Sequence, residues 1–390
     1  MNIPKLRFKD NNGNDYPQWE KKLIKDILKI YHGKDYKNEP NEKKLYPVLG
    51  TGGIITYIDK FLCDWECVLI GRKGTINKPQ YMKTPFWSVD TLFYSKPKLK
   101  QNPKFQYYLF QNINWKIYDE STGVPSLSAS TIEHINRFIP TYAEQEKIAS
   151  FFSTIDKKIE NLTNTITSLE NQKKGLLQQI FSQKLRFKDE NGNNYPNWEK
   201  KKLGDIATLK NGISKSNEAF GHGKKFINLQ DIFNKSYIFN GNYSLVDVTE
   251  KELSENNLLK GDVLFVRSSV KREGVGLPCV IMENLIDTVY SGFIIRCRFN
   301  INENIYLHYK KYCFLEFSFR KALLKKSSSS ANTNINQDNL SKLYVKLPCL
   351  EEQTKIADFL SAFDRKLDNQ KAQLEHWQQI KKGLLQQMFV

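Results

Sequence analysis

No run of 18 apolar residues occurs in this chain of 390, and its first 30 residues are charged and polar. A membrane-spanning helix and a secretory signal are therefore not expected, and the reading is of a cytoplasmic protein. The six cysteines, Cys63, Cys67, Cys279, Cys297, Cys313 and Cys349, include no CxxC pair. They read as core thiols of a reducing compartment rather than as a disulfide framework or zinc ligands. His32, His134, His222, His308 and His376 are scattered, none at metal-ligand spacing. No GxxxxGK[ST] loop is present, which removes phosphate-loop ATP chemistry, and no NPPY or DPPY tetrapeptide of the amino-methyltransferase type occurs. Phe220-Gly-His-Gly223 is a lone glycine-rich fragment without a preceding strand or a partner acidic residue. No metal, no cofactor and no catalysis are expected of this chain by itself.

Negative charge is also scarce. Against 59 Lys+Arg stand 42 Asp+Glu, a formal net charge of +17. Residues 28–138 carry 16 basic and 10 acidic side chains and residues 207–346 carry 20 and 13, so these two stretches hold most of the excess. A polyanion is the natural partner of such segments, because each phosphate neutralised releases condensed counterions.

What the chain has in abundance is repetition. Lys5–Lys22 returns as Lys184–Lys201 with 15 of 18 positions identical, and Pro140–Phe181 returns as Pro348–Phe389 with 19 of 42 identical. The offsets are 179 and 208, so the second bracketed segment is 29 residues longer than the first, and the two segments themselves do not repeat in sequence. The longer repeat is heptad-patterned. Ile148, Phe152, Ile155, Ile159, Leu162, Ile166, Leu169, Leu176 and Ile180 step by four and three, skipping only Lys173, and Ile356, Leu360, Phe363, Leu367, Leu374, Trp377, Leu384 and Met388 keep the register. Five heptads without proline predict a pair of coiled-coil helices, read as antiparallel about a pseudo-two-fold axis. Lys173 and Lys381, at equivalent seam positions, would fray the pairing or face a partner. The shorter repeat follows the first helix but precedes the first insert. It is expected to dock where a continuation of the second helix would run, with Leu6, Phe8, Tyr16, Trp19 and Leu185, Phe187, Tyr195, Trp198 as apolar anchors.

Both inserts are rich in aromatic and β-branched residues broken by Gly, Pro and Asn, which predicts mixed sheet with short helices. Each holds an apolar strand leading into a basic loop: Cys67-Val-Leu-Ile before Gly71-Arg-Lys-Gly-Thr-Ile-Asn-Lys78, and Asp262-Val-Leu-Phe-Val before Arg267-Ser-Ser-Val-Lys-Arg272. Arginine can bond guanine bidentately in a major groove, asparagine can read adenine, and lysines and backbone N–H groups can hold phosphates. A second polar loop closes each insert, at 120–128 and 325–334. It suits phosphate contact or a flexible linker about equally.

Taken together, the two variable inserts, the loop Gly71–Thr75 followed by Phe86-Trp-Ser-Val-Asp-Thr-Leu-Phe93, the helix starts Glu144-Gln-Glu-Lys-Ile-Ala149 and Glu352-Gln-Thr-Lys-Ile-Ala357, and the ends Gly175-Leu-Leu-Gln-Gln179 and Gly383-Leu-Leu-Gln-Gln387 resemble the specificity (S) subunit of a bacterial type I restriction-modification enzyme. The resemblance implies an α+β chain: two mixed α/β target recognition domains separated by two long antiparallel coiled-coil helices. Its segments would be an N-terminal repeat segment 1–27, recognition domain 28–138, helical repeat 139–182, repeat segment 183–206, recognition domain 207–346 and helical repeat 347–390. It implies double-stranded DNA as ligand, read as a bipartite gapped site, and two modification (methyltransferase) subunits and restriction (translocase/nuclease) subunits as partners. S-adenosylmethionine, ATP and Mg would then reside on those partners. Carried over to matching positions, Gly71, Arg72, Lys73, Gly74 and Thr75 become DNA contacts, with Asn77 and Lys78 beside them; Arg267, Ser268, Ser269, Lys271 and Arg272 stand at the comparable place in the second insert, which departs from the pattern. Two other readings stay open from the residues: a self-contained methyltransferase or nuclease with divergent motifs, and a coiled-coil scaffold whose basic domains bind RNA or acidic proteins.

Overall fold

The computed structural model describes residues 4–233, 235–329 and 332–389. The chain is mixed α/β, with two long helices, Tyr142–Phe181 and Leu350–Met388. At 1.5 Å per residue each is about 60 Å long. The residues group into two units, Met1–Thr165 with Gln370–Val390, and Ile166–Asn369. Each unit thus contains the beginning of one long helix and the end of the other.

The heptad positions do what their spacing requires. Ile148, Phe152, Ile155, Leu162, Ile166, Leu169, Ile356, Leu360 and Leu367 are buried, and Ile159, Leu176, Phe363, Leu374, Trp377 and Leu384 are half-buried. The seam lysines neither fray nor face outward. In the first unit Lys381 Nζ lies 2.7 Å from Asp156, whose other oxygen accepts the Tyr108 hydroxyl at 2.7 Å. In the second, Lys173 pairs with Asp364, which also receives Lys311 and the Tyr312 hydroxyl, both at 2.7 Å. Burial alone would raise the Asp364 carboxyl, but the Lys311 charge and the bonds from Lys173, Lys311 and Tyr312 outweigh it and hold it below its ordinary value. This carboxylate contributes stability above its unfolded-state pKa and loses it as pH falls through the lowered one.

The shorter repeat clamps each helix start. Arg7 donates from Nε (3.1 Å) and Nη2 (2.8 Å) to the Glu144 carboxylate, which has no exposed surface and also accepts the Trp19 indole at 3.0 Å. Arg186, Glu352 and Trp198 repeat the arrangement at 3.1, 2.7 and 2.8 Å. The same arginine reaches the carbonyl of Pro17 or Pro196. Lys147 and Lys355 cap the carbonyls of Lys9 and Lys188, and Gln145 and Gln353 bond back to Pro140 and Pro348. The Glu-Gln-x-Lys-Ile-Ala motif is therefore a structural lock. Phe8 and Phe187 pack edge-on against Phe151 and Phe359. Leu6 and Leu185, expected as anchors, are 41% and 37% exposed; their backbone does the docking. Leu6 N–H donates to the Gln387 carbonyl and Leu185 N–H to the Gln179 carbonyl, each at 3.1 Å.

The inserts, which share no sequence repeat, share a sheet plan. In the first unit an antiparallel sheet runs in the order Leu28–His32, Leu92–Pro97, Cys67–Gly71, Gln80–Met82. In the second the order is Ala207–Asn211, Ile294–Phe299, Val263–Val266, Pro278–Ile281, with Tyr237–Ile238 added in parallel at the edge. Beside each lies a three-stranded sheet whose middle strand, Tyr46–Gly50 or Phe220–Ile227, has one antiparallel and one parallel neighbour. A two-stranded ribbon ties each short repeat to the end of its insert, Glu20–Leu23 with Asn136–Ile139 and Glu199–Lys202 with Tyr344–Leu347. Backbone pairing tolerates any half-buried apolar side chain, so the plan persists while side-chain identity does not. Part of the extra length of the second insert forms the Leu229–Ile232 helix and the Tyr237–Ile238 strand, where the first insert has only a tight turn between Gly50 and Gly53.

Removing the arginine from an ion pair whose carboxylate has no exposed surface leaves that buried charge uncompensated, at about 3–5 kcal/mol. Arg7→Leu should destabilise the first unit by that amount and Arg186→Leu the second, read as a shifted denaturant midpoint. A shift below about 1 kcal/mol in both would show that the clamp is not what fixes the helix starts.

Candidate nucleic-acid interface

Each basic loop leaves a fully buried strand, Cys67–Gly71 or Val263–Val266, so its first residue is held by the core. A Cβ on Gly71 would meet the Thr75 carbonyl at 2.2 Å, and Gly74 has φ +86°, so both glycines shape the turn. Arg72 is stitched on three sides. Its N–H donates to the Thr91 carbonyl (2.8 Å), its carbonyl accepts from Leu127 N–H (2.9 Å), and its Nη1 reaches the Asp90 carbonyl (3.3 Å). Arg267 is held the same way: N–H to the Phe293 carbonyl (2.9 Å), carbonyl from Ile335 N–H (3.0 Å), Nη1 to the Gly292 carbonyl (2.9 Å). Both arginines are half-buried, with one guanidinium edge tied down and the rest available.

The two polar loops of each insert come together here. Lys73 bridges Ser126, and Gly74 N–H donates to the Pro125 carbonyl at 2.8 Å. Asp119 organises that second loop by accepting from Ser126 N–H and from Ser121; these bonds, led by the one from Ser126, keep its carboxyl below the usual range. In the second insert Ser268–Ser269 pairs with Thr333–Asn334, which in turn pairs with Ser328–Ser329. Of the 325–334 loop, Ser330 and Ala331 lie outside the described residues. The loops are tethered rather than free linkers.

The predicted site residues divide by exposure. Lys73, Gly74, Asn77, Lys78, Lys271 and Arg272 are exposed, Thr75 is intermediate, and Gly71, Ser268 and Ser269 are buried and hold the loops. Among the described residues, none of Arg72, Lys73, Lys78, Arg267, Lys271 and Arg272 joins an ion pair, although lysines elsewhere, such as Lys210 with Glu255, do. Unneutralised cations gathered on loops of fixed backbone suit a polyanion. Two residues essential to this geometry escaped the sequence reading. A Cβ on Gly33 or Gly212 would lie 2.0 Å from the carbonyl of Val89 or Tyr290. The close approach presses each insert's first strand against the turn whose carbonyls hold the arginine. The available signal was a glycine after the first strand at the 179-residue offset.

Elsewhere, Phe220–Gly223 is the bulged end of a strand, with Gly223 at φ +92° and its register shifting between Phe220 and Lys224. Five cysteines are buried and Cys349 is half-buried; burial pushes the Cys279 thiol up to about 12. No cluster of potential metal ligands and no helix long and apolar enough to cross a membrane occur among the described residues.

The Type I restriction modification DNA specificity domain family matches residues 16–171 and 195–376. The chain belongs to this family. Among curated relatives, it is 24% identical over 420 residues to the type I restriction enzyme MjaVIII specificity subunit of Methanocaldococcus jannaschii, covering 97% of this chain and 94% of that protein. It is 25% identical over 174 residues to the EcoprrI specificity subunit of Escherichia coli, covering 43% and 41%. The fold is that of the type I restriction-modification S subunit from M. genitalium, at TM-score 0.62 and 18% identity over 100% of this chain and 99% of that one. A chain solved in work on complex assembly and conformational transition of the type I R-M system matches at TM-score 0.57 and 14% identity over 96% and 98%.

Proposed function

We propose that this member of the specificity family reads a bipartite, gapped DNA site, one half-site per insert, and carries no catalytic centre of its own. Residues 28–138 and 207–346 act as the two target recognition domains. The observation that carries this reading is the recurrence of one arginine, in one three-sided backbone cradle, in two inserts of unrelated sequence. A common frame with different side chains is what two half-sites of different sequence demand. The free edges of Arg72 and Arg267 approach base edges in the major groove, while Lys73, Lys78, Lys271 and Arg272 hold phosphates. The two long helices, paired antiparallel about a pseudo-two-fold axis, serve as spacer and as platform for two modification subunits that bind S-adenosylmethionine and methylate adenine. Restriction subunits, where present, add ATP- and Mg-dependent cleavage. All of this belongs in the cytoplasm.

The platform reading has local support in Gly175 and Gly383. Each stands inside a long helix, where glycine costs about 1 kcal/mol relative to alanine. An added Cβ on either would meet nothing in this chain within 4 Å. Nothing internal requires glycine there, whereas a partner backbone seated on the helix would.

Two outcomes are expected. Arg72→Ala and Arg267→Ala should each relax recognition in one half-site only, costing about 1–3 kcal/mol there, whereas Lys73→Ala should weaken all sequences alike and reduce the salt dependence by about one phosphate contact. Binding titrations on half-site variants separate these; uniform weakening by both arginine variants would demote them to phosphate contacts. Gly175→Ala and Gly383→Ala should raise chain stability by roughly 0.5–1 kcal/mol each yet weaken assembly with the modification subunits, measured by sedimentation. Unchanged assembly would move the platform elsewhere.

A further inference from the structure

The second insert carries an apolar cleft of about 440 Å³ beside Arg267, walled by Leu229 and Phe233 and rimmed by Val270 and Phe293. Val270 is 83% exposed and Phe293 59%. These are not scattered surface residues. Phe293 supplies the carbonyl that fixes Arg267 N–H, and Val270 sits three residues after that arginine, between Arg267 and the exposed cations Lys271 and Arg272. An apolar cleft set among unpaired cations suits a ligand that offers both phosphates and an apolar group. The surrounding charge points to the duplex already assigned to this loop, and a major groove displays one apolar group on its base edges, the C5-methyl of thymine. The first insert differs at the matching places: Thr91 supplies the carbonyl that holds Arg72, and Thr75 stands three residues after Arg72.

We infer that Val270 and Phe293 are specificity-determining residues of the second recognition domain, selecting a thymine in its half-site through the C5-methyl group. The inference rests on the base-reading function proposed for the Arg267 loop. It assigns the two domains different chemistry: arginine with an apolar methyl receptor in the second, arginine with hydroxyl-bearing neighbours in the first. Both side chains are exposed, so truncating them leaves the core and the Arg267 cradle in place.

The test uses the full chain assembled with its modification subunits and duplexes bearing its gapped site. The half-site affected by Arg267→Ala is the second. Each thymine of both half-sites is replaced in turn by deoxyuracil, which removes only the methyl group. At least one replacement in the second half-site should weaken binding by the parent about four-fold, the worth of one buried methyl. In the Val270→Ala/Phe293→Ala double variant that replacement should cost nothing, while replacements in the first half-site behave as in the parent. A second half-site without thymine, or losses equal in parent and double variant, overturns the inference and leaves base reading by Arg267 standing. Absence of any gapped site, or an Arg267→Ala effect spread over all sequences, overturns the base-reading function and this inference with it.

Discussion

A carboxylate with no exposed surface sits at the start of each long helix, and the rest of each unit is arranged around satisfying it. Glu144 and Glu352 take two bonds from an arginine and one from an indole, all three donors arriving from the short repeat. Such a pair is tolerable because both carboxylate oxygens are hydrogen-bonded and the charge is paired. By holding the short repeat against the helix start, the clamp fixes both strands of the ribbon that opens and closes the insert, and hence where the insert leaves the helices. Leu6 and Leu185 extend the lock to the far helix end through the Gln387 and Gln179 carbonyls. In one unit that bond joins residues at opposite ends of the sequence, in the other residues six apart.

From this frame the loops inherit their rigidity. A buried strand delivers each arginine, a glycine at the first strand's end lets the neighbouring turn come close, and that turn's carbonyls hold the arginine, one through its backbone N–H and one through its guanidinium. Little of this depends on side-chain identity around the loop, so residues such as Thr75, Thr91, Val270 and Phe293 are free to vary without disturbing the cradle. Under the function proposed above, a frame and readout separable in this way let the target change by substitution at a few exposed positions.

The helical repeats were legible because a 3.5-residue period survives in the sequence, and every seam residue from Ile148 to Leu384 is at least half-buried. Lys173 and Lys381 were not legible: their partners Asp364 and Asp156 lie on the other helix, and periodicity gives no cross-helix register. The Glu-Gln-x-Lys-Ile-Ala motif was visible as a recurrence but its role was not, since Arg7 is 137 residues from Glu144. The common plan of the inserts was hidden for a different reason. Strand order is held by backbone hydrogen bonds, and a buried strand accepts many apolar sequences. The basic loops could be found from composition and place, but the burial of Ser268 and Ser269 and the tethering of the 120–128 loop appear only once the strands are paired.

By the function proposed above, this chain, through two separate inserts, chooses which DNA is modified. Genome-wide mapping of methylated adenine tests it most directly, comparing cells that express the modification subunits with and without this chain. The expected result is a gapped, two-part motif methylated only when the chain is present. An unchanged methylation pattern, with the modification subunits shown to be active alongside another specificity subunit, would contradict it.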